Sequence, residues 1–216
     1  MSERDTEKMF ANKDHGNRNY FREYSQYLFH LLANLDFEVI ENVAHLILDR
    51  AKKKRTVYLI GNGGSATTAA HFAIDFVHAG MLDHAPIIRA INLAENIGIV
   101  TALGNDKGYD QIFSRQLRML GRKGDILIAI SASGNSVNLL EAVKVAKEMG
   151  ITTVGILGFD GGQLGAMCDY SIVVRTKKGE YGVVEDIHLF LDHMLASYIA
   201  LSLREAKGKK RQPKKK

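Results

Sequence analysis

Apolar residues recur along this chain with two different spacings. Over residues 19–35 and 37–53 they recur every three to four positions, which predicts two amphipathic helices. From residue 57 onward, short apolar runs alternate with longer stretches of helical character. The predicted strands cover residues 57–60, 87–91, 126–130, 152–157 and 171–175. The later predicted helices cover residues 65–79, 95–103, 109–120, 136–149, 163–167 and 183–206.

The composition of the strands predicts how they are arranged. Residues 126–130 are apolar at every position, which is typical of a strand buried on both faces. Strands that alternate with helices favour a parallel, doubly wound sheet with helices on both faces. We therefore expect an α/β domain with five parallel strands. Ligands of such sheets bind beyond the carboxyl ends of the strands, where Gly61 and Ser131 lie in this sequence.

Length and composition limit the class of protein. The chain has 216 residues, 46% hydrophobic and 25% charged, which suits one well-buried domain better than two. A single cysteine, Cys168, excludes an intrachain disulfide framework and favours a cytoplasmic location. The first twenty residues lack the apolar core of a signal peptide, and no apolar run approaches the ~20 residues of a membrane span. We expect no membrane partner.

The net charge of +5 is concentrated at the C-terminus. Residues 207–216 hold seven basic residues and no acidic one, so the rest of the chain carries a net charge of −2. We expect this tail to be solvated and disordered, and the alternative is a weak contact with nucleic acid or an anionic surface. Residues 1–18 are polar, and we expect them to be disordered as well. The single domain would then cover residues 19–206.

A glycine-rich turn, Gly-Asn-Gly-Gly-Ser, follows the first predicted strand at residues 61–65. Glycines allow backbone N–H groups to face a ligand, and Ser65 can cap a helix whose N-terminus favours an anion. The turn lacks the Gly-Lys-Ser/Thr ending of a Walker A loop, and Ala66 stands where a dinucleotide-binding motif has its third glycine. A phosphate cradle and a tight structural turn both remain open.

A second polar turn follows the third predicted strand. Ser131, Ser133 and Ser136 place three hydroxyls just before a predicted helix. Hydroxyls can donate to phosphate oxygens, and the helix N-terminus adds N–H donors. This pattern favours phosphate binding, and the alternative is a turn in which Ser136 only caps the helix.

Seven short motifs lie in order along residues 20–205. They are Gly61-Asn62-Gly63-Gly64-Ser65, His71-Phe72-Ala73, Gly104-Asn105-Asp106, Phe113-Ser114-Arg115-Gln116, Gly124-Asp125, Ser131 to Ser136, and Asp160-Gly161-Gly162. Together they resemble the sugar isomerase (SIS) domain. The likeness is greatest to the phosphoheptose isomerases, which interconvert sedoheptulose 7-phosphate and a heptose 7-phosphate.

The resemblance implies a fold, an activity and an assembly. The fold would be a flavodoxin-like, doubly wound five-stranded sheet with two additional N-terminal helices. The activity would be aldose–ketose isomerisation of sedoheptulose 7-phosphate or a related sugar phosphate through an enediol(ate). The protein would be a cytoplasmic homotetramer with its sites at subunit interfaces.

The resemblance also implies roles for individual residues. Asp75 would be the general base, and His193 the acid. Zinc, one divalent ion per site, would be held by His71, Asp75, Glu185 and His193. The residues that would bind the substrate are Asn62, Gly63, Gly64, Ser65, Asp75, Asn105, Asp106, Ser131, Ala132, Ser133, Ser136 and Glu185.

Helix geometry supports only part of this metal site. His71 and Asp75 are four residues apart and lie on one helix face, and imidazole and carboxylate both suit zinc. Glu185 and His193 are eight residues apart, which is about 12 Å along a straight helix. Either Glu185 lies on a bent or frayed first turn, or neighbouring protomers contribute one residue each.

Four positions depart from the pattern of the family. Asp75 stands in place of Glu, Glu185 in place of Gln, and Ala132 in place of a hydroxyl-bearing residue, while Gly182 occupies a position that is often Asp. These departures bear most directly on the identity of the sugar. In addition, we expect Asp192 to lie on the surface of the last helix, and His78, His84 and His188 to be packed or solvated.

The alternative class is a non-catalytic SIS protein that binds phosphosugars or a replication initiator. Catalysis requires an acid and a base near the sugar carbonyl. The replication type lacks a histidine at the position of His193, so the histidine here favours an enzyme.

Overall fold

The structure is a computed structural model that describes residues 19–81 and 86–210. The expectations for residues 1–18, for residues 211–216 and for His84 lie outside this part of the chain. The helices are α1 Tyr20–Ala33, α2 Phe37–Lys52, α3 Gly64–Gly80, α4 Ile97–Lys107, α5 Ile112–Leu120, α6 Val137–Glu148, α7 Gly162–Met167 and α8 Tyr181–Lys210. The strands are β1 Thr56–Gly61, β2 Arg89–Asn92, β3 Ile126–Ser131, β4 Thr152–Gly158 and β5 Tyr170–Val174.

The five strands form one parallel sheet in the order β2-β1-β3-β4-β5. The predicted doubly wound, flavodoxin-like architecture is therefore confirmed. The chain leaves β1 toward β2 on one side and returns to β3 on the other, so the strand order reverses between β1 and β3. Gly61 pairs with Ile130 across these strands, which brings the turns at their carboxyl ends side by side. This crevice is where such sheets bind ligands.

Alternate residues of each central strand enter two separate cores. One core packs Leu59, Ile128 and Ile156 against α1, α2, α3 and α8. The other packs Tyr58 and Leu127 from the opposite face of the sheet against α5, α6 and α7. Burial on both faces explains why β3 is apolar throughout.

The last helix is long, and one of its faces is buried from Val183 to Leu203. It packs against α3, and its apolar row includes Val184, Leu191, Leu195 and Ile199. The N-terminal helix α1 is tied to it by the hydroxyls of two tyrosines. Tyr24 donates to Asp186 Oδ2 at 2.5 Å, and Tyr27 donates to Glu180 Oε2 at 2.7 Å. No helix among the described residues combines the length and apolar character that a membrane crossing needs.

Element boundaries differ from the predicted ones where local capping decides them. Helix α4 begins one residue after Asn96, whose side-chain oxygen accepts a hydrogen bond from the backbone N–H of Ile99 at 3.2 Å. It ends at Gly108, which has a positive φ of 102°. The stretch predicted as one helix over 109–120 is a 3-10 turn, Tyr109–Gln111, followed by α5. The last helix ends at Lys210 instead of residue 206.

Candidate functional site

The glycine turn after β1 requires glycine at its first position. A Cβ atom on Gly61 would overlap the backbone carbonyl of Ser65, so the chain can turn directly into α3 only because this side chain is absent. Gly63 has a φ of +55° and lies at the start of α3, and Gly64 is the first residue of that helix. The turn thus presents the N-terminus of α3 at the edge of the sheet.

The serine-rich turn after β3 is packed against the loop between β4 and α7. Gly134 has a φ of +63°, and a Cβ there would overlap the carbonyl oxygen of Gly161. The Gly134 carbonyl accepts a hydrogen bond from the backbone N–H of Leu164 at 3.0 Å. Ser131 Oγ accepts one from the N–H of Gly134, also at 3.0 Å. The two loops are interlocked backbone to backbone, which fixes the shape of the turn.

A polar cavity of about 200 Å³ lies between the two turns. Seven of the residues predicted to bind substrate line this cavity. Leu139 and Tyr181 complete its wall together with Ile130. The predicted residues that line it are Asn62, Ser65, Ser131, Ala132, Ser133, Ser136 and Glu185.

Ser136 occupies the N-cap position of α6, but its side chain makes no capping hydrogen bond. The alternative in which its hydroxyl only caps the helix is therefore not what the structure contains. Ser133 Oγ accepts only a long hydrogen bond, 3.4 Å, from the N–H of Asn135. Both hydroxyls are half-buried in the cavity wall and can donate to an oxyanion.

Asn62 is held in place by residues that the sequence did not single out. Its amide exchanges two hydrogen bonds with Asn138 of α6, at 2.9 and 2.8 Å, and Tyr109 donates its hydroxyl proton to Asn62 Oδ1 at 3.1 Å. Asn138 is buried. This reciprocal pair joins the β1 turn to the helix that follows the β3 turn.

Asn105 and Asp106 lie elsewhere. They are exposed on α4, where the Asn105 amide donates to Asp106 Oδ1 at 2.9 Å. Neither is among the residues that line the cavity.

Glu185 approaches the start of α3. A Cβ atom on Gly64 would lie 3.0 Å from Glu185 Oε2, so glycine at this position makes room for the carboxylate. A negative side chain next to a helix N-terminus is favourable because it faces the positive end of the helix dipole. Helix α8 is continuous from Tyr181, so Glu185 does not lie on a frayed turn.

A second polar cluster lies farther along the same two helices. His71 and Asp75 come from α3, and His193 comes from α8. The Nε2 atoms of the two histidines are 3.3 Å apart, and Asp75 Oδ2 is 3.8 Å from each of them. We call this group, together with Asp192, the histidine–aspartate cluster. Each of its four residues offers a ligand atom, and these atoms all lie within 4.8 Å of one another.

Asp192 is buried, so the prediction that it lies on the surface of the last helix is wrong. Its accessible surface is 0%, and neither carboxylate oxygen has a hydrogen-bond partner within the described part of the chain. Burial first, and then the negative charge of Asp75, raise the pKa of Asp192 to about 7. The physical reason for its position is a row at four-residue spacing, made of Val184, His188, Asp192 and Ala196, which faces the core.

The cluster contains three of the four residues proposed to hold a metal. His71, Asp75 and His193 meet there, whereas Glu185 lies at the cavity between the turns and is not among the clustered residues. Imidazole nitrogens and carboxylate oxygens are zinc ligands, and tetrahedral ligands at ~2.0–2.1 Å from zinc lie about 3.3–3.4 Å apart. The observed separations of 3.3 and 3.8 Å therefore fit a divalent metal after small adjustments.

Two of the three histidines expected to be packed or solvated, His78 and His188, lie in the described part of the chain. His78 is exposed on α3. His188 is fully buried on α8, and neither ring nitrogen has a hydrogen-bond partner that meets geometric criteria among the described residues. Burial lowers the pKa of His188 to about 4, against a smaller opposite effect of the Leu157 backbone.

Comparison with known proteins agrees with this fold and these motifs. A family model described as SIS domain matches residues 19–158. The chain is 40% identical to a phosphoheptose isomerase of Nitratidesulfovibrio vulgaris (strain DSM 19637 / Miyazaki F) over 73% of this chain and 74% of that protein. It is 39% identical to the phosphoheptose isomerase of Clostridium acetobutylicum over 77% and 83%. The solved structure of phosphoheptose isomerase GmhA from Neisseria gonorrhoeae gives a TM-score of 0.74 at 33% identity, covering 83% of this chain and 94% of that one.

Proposed function

This chain belongs to the SIS domain family, and on that premise we propose that it is an aldose–ketose isomerase of a phosphorylated sugar, with sedoheptulose 7-phosphate as the first candidate substrate. The relatives named phosphoheptose isomerase, at 36–40% identity, support the reaction class. The observation that carries the proposal is the close approach of one carboxylate, Asp75, to two imidazoles, because isomerisation needs a base and an acid at one place.

The phosphate of the sugar would bind in the cavity between the two turns. Ser133 and Ser136 offer hydroxyl donors, and the N-termini of α3 and α6 offer backbone N–H groups and favourable dipoles. The interlocked loops keep this cavity in one shape, so little order has to be imposed when the phosphate binds. Glu185, which is negative, would accept hydrogen bonds from sugar hydroxyls and not face the phosphate itself.

Proton transfer would be carried out by Asp75 and His193. Asp75 removes a proton from the carbon next to the carbonyl and returns it to the neighbouring carbon, which passes the sugar through an enediol(ate). Where no metal is bound, His193 would exchange a proton with the carbonyl oxygen. Their side chains are 24% and 55% exposed, so both can be reached by a substrate.

His71, Asp75 and His193 would hold a divalent metal, most simply zinc. When bound, this ion would polarise the carbonyl and stabilise the negative charge of the enediolate. His71 and His193 would then both act as ligands, and the ion would take the place of His193 in polarising the carbonyl.

We further propose a cytoplasmic homotetramer in which neighbouring subunits complete each site. Glu185 and His193 are eight residues apart on one continuous helix, about 12 Å along its axis. A substrate that contacts both residues at one carbon would therefore need them from different chains. Exposed apolar side chains on α1, α3 and α8 could be covered by such packing; they include Phe21, Phe29, Ile74 and Phe190.

The test is proton exchange in deuterated water with sedoheptulose 7-phosphate, followed by NMR at C1 and C2. The wild type should incorporate deuterium, and Asp75→Asn should reduce the exchange rate by roughly 10²–10⁴-fold, the usual contribution of a general base. Asp49→Asn is a matched control, because Asp49 forms a surface ion pair with Lys53 and should keep the wild-type rate.

Two results would contradict the proposal in different ways. Exchange at the wild-type rate in Asp75→Asn would exclude this residue as the base. Tight binding of phosphorylated pentoses to heptoses by the wild type, with no exchange in any of them, would identify a non-catalytic phosphosugar-binding protein.

A further inference from the structure

Asp192 has no explanation in the proposed chemistry or in the expected ligand set. It is a carboxylate at 0% accessibility whose two oxygens are both unpartnered among the described residues. Leaving a buried polar group unsatisfied costs about 1–3 kcal/mol, and more when the group is charged. A buried carboxylate without a partner therefore requires an explanation, and a bound ion is one that accounts for both oxygens.

The side chain of Asp192 has its ligand atom within 4.8 Å of those of His71, Asp75 and His193. The two histidine Nε2 atoms are 3.3 Å apart, and each is 3.8 Å from Asp75 Oδ2. A point near the centre of this triangle is therefore within ~2.2 Å of all three donor atoms, close to the bond lengths of zinc. Asp192 is the fully buried member of this group.

We propose that Asp192 is a ligand of the divalent cation, so that α3 and α8 of a single chain supply a site of two histidines and two aspartates. Glu185 would then act only at the phosphosugar cavity. This inference rests on the proposed metal of the isomerase site and changes which residues hold it.

Charge balance supports this set. Two neutral imidazoles and two carboxylates carry a net charge of −2, which a divalent ion cancels. Without a cation, two carboxylates that converge in a partly buried place repel each other. With one, the buried oxygens of Asp192 gain the partner that the protein itself does not provide.

Helix geometry explains why Asp192 can serve where Glu185 cannot. Asp192 is adjacent to His193 and lies four residues from His188 in the row that faces the core. Glu185 is two helical turns away, beside Gly64 at the other polar site. One chain can therefore bring Asp192, but not Glu185, to the same ion as His193.

The experiment is calorimetric titration of the full-length, chelator-treated protein with zinc chloride. Asp192→Asn keeps the shape of the side chain and should weaken zinc binding by about 100-fold, because even outer-shell partners of a metal typically contribute 10–100-fold. Glu185→Ala, which removes every possible ligand atom from that side chain, is the control and should bind zinc within threefold of the wild type. Titration with cobalt(II) adds a spectroscopic readout, since loss of one ligand should change its visible absorption.

The melting temperature of the metal-free proteins is the control for folding. Asp192→Asn should melt at no lower temperature than the wild type, because it removes a buried acidic group. Asp192→Glu, which keeps a carboxylate, should retain more affinity than Asp192→Asn. The proposal is overturned if Asp192→Asn binds zinc like the wild type, if Glu185→Ala loses the zinc, or if the wild type does not bind it. Zinc binding through Asp192 in a protein without isomerase activity would refute the proposed function and leave this inference standing.

Discussion

Replacing His188 by leucine should remove a pH-dependent part of the stability. In the folded protein the ring is fully buried, and burial lowers its pKa to about 4. In the unfolded chain the ordinary value is about 6.5. Between these values the unfolded state binds a proton that the folded state does not, so the free energy of unfolding falls as the pH is lowered through 6.5. Above pH 6.5 both states are neutral, and the contribution of His188 does not change.

The size of the effect follows from the two pKa values. From pH 7.5 to pH 5.0, a histidine with a pKa of about 4 when folded and about 6.5 when unfolded lowers the free energy of unfolding by about 2 kcal/mol. All other titrating groups are shared by the wild type and the variant, so they cancel in the difference between them. When the pH is lowered from 7.5 to 5.0, the free energy of unfolding should therefore fall by about 2 kcal/mol less in His188→Leu than in the wild type.

The assay is urea unfolding followed by circular dichroism at both pH values, at one protein concentration and with chelator present. His30→Leu makes the same exchange at an exposed position of α1 and should keep the wild-type pH dependence. Because neither nitrogen of His188 has a hydrogen-bond partner among the described residues, leucine should not destabilise the protein at pH 7.5 by much more than 1 kcal/mol. Parallel pH profiles for His188→Leu and the wild type would refute the reasoning.

Two further predictions concern the cavity between the turns. Ser133→Ala combined with Ser136→Ala should weaken the binding of sedoheptulose 7-phosphate by roughly 3 kcal/mol in calorimetric titration, since each lost bond to a charged group contributes about 1.5–3 kcal/mol. Ser25→Ala, at an exposed position of α1, is the control. Unchanged affinity in the double variant would exclude these two hydroxyls as the phosphate anchor. Gly134→Ala should lower the free energy of unfolding by about 1–3 kcal/mol more than Gly63→Ala. Both glycines have a positive φ, but only a Cβ at Gly134 would meet backbone atoms. Equal losses in urea unfolding would show that the loop after β3 and the loop between β4 and α7 separate easily.

The sheet could be predicted because its strands are buried on both faces. Residues 126–130 form a continuous apolar run, and the structure extends the predicted strands 126–130 and 152–157 by a single residue each. The edge strand β2 was placed less well, at 87–91 instead of Arg89–Asn92. Ile87 and Ile91 are exposed, so this apolar run does not predict the bounds of the strand well. Helix ends depended on caps such as Asn96, which the apolar pattern does not reveal.

The polar cavity was predictable because the residues that form it lie at strand ends, whose positions follow from the sheet. The burial of Asp192 was not predicted, although a signal was present in the row Val184, His188, Asp192 and Ala196. This row is recognised as a buried helix face only if its two polar members, His188 and Asp192, are expected to be buried. Asn138 was missed for a different reason, since its partner Asn62 is 76 residues away in the chain.

The backbone interlock between Gly134 and the Gly161–Gly162 corner limits how this protein can diverge. Lengthening either loop, or giving Gly134 or Gly162 a side chain, would push the other loop away from its sheet edge. A lineage that acquires a new sugar preference would therefore keep both loop lengths and change the side chains that project from them. The side chains of Ala132 and Glu185 line the cavity without taking part in the interlock, so a library built for altered substrate choice should begin with these two positions.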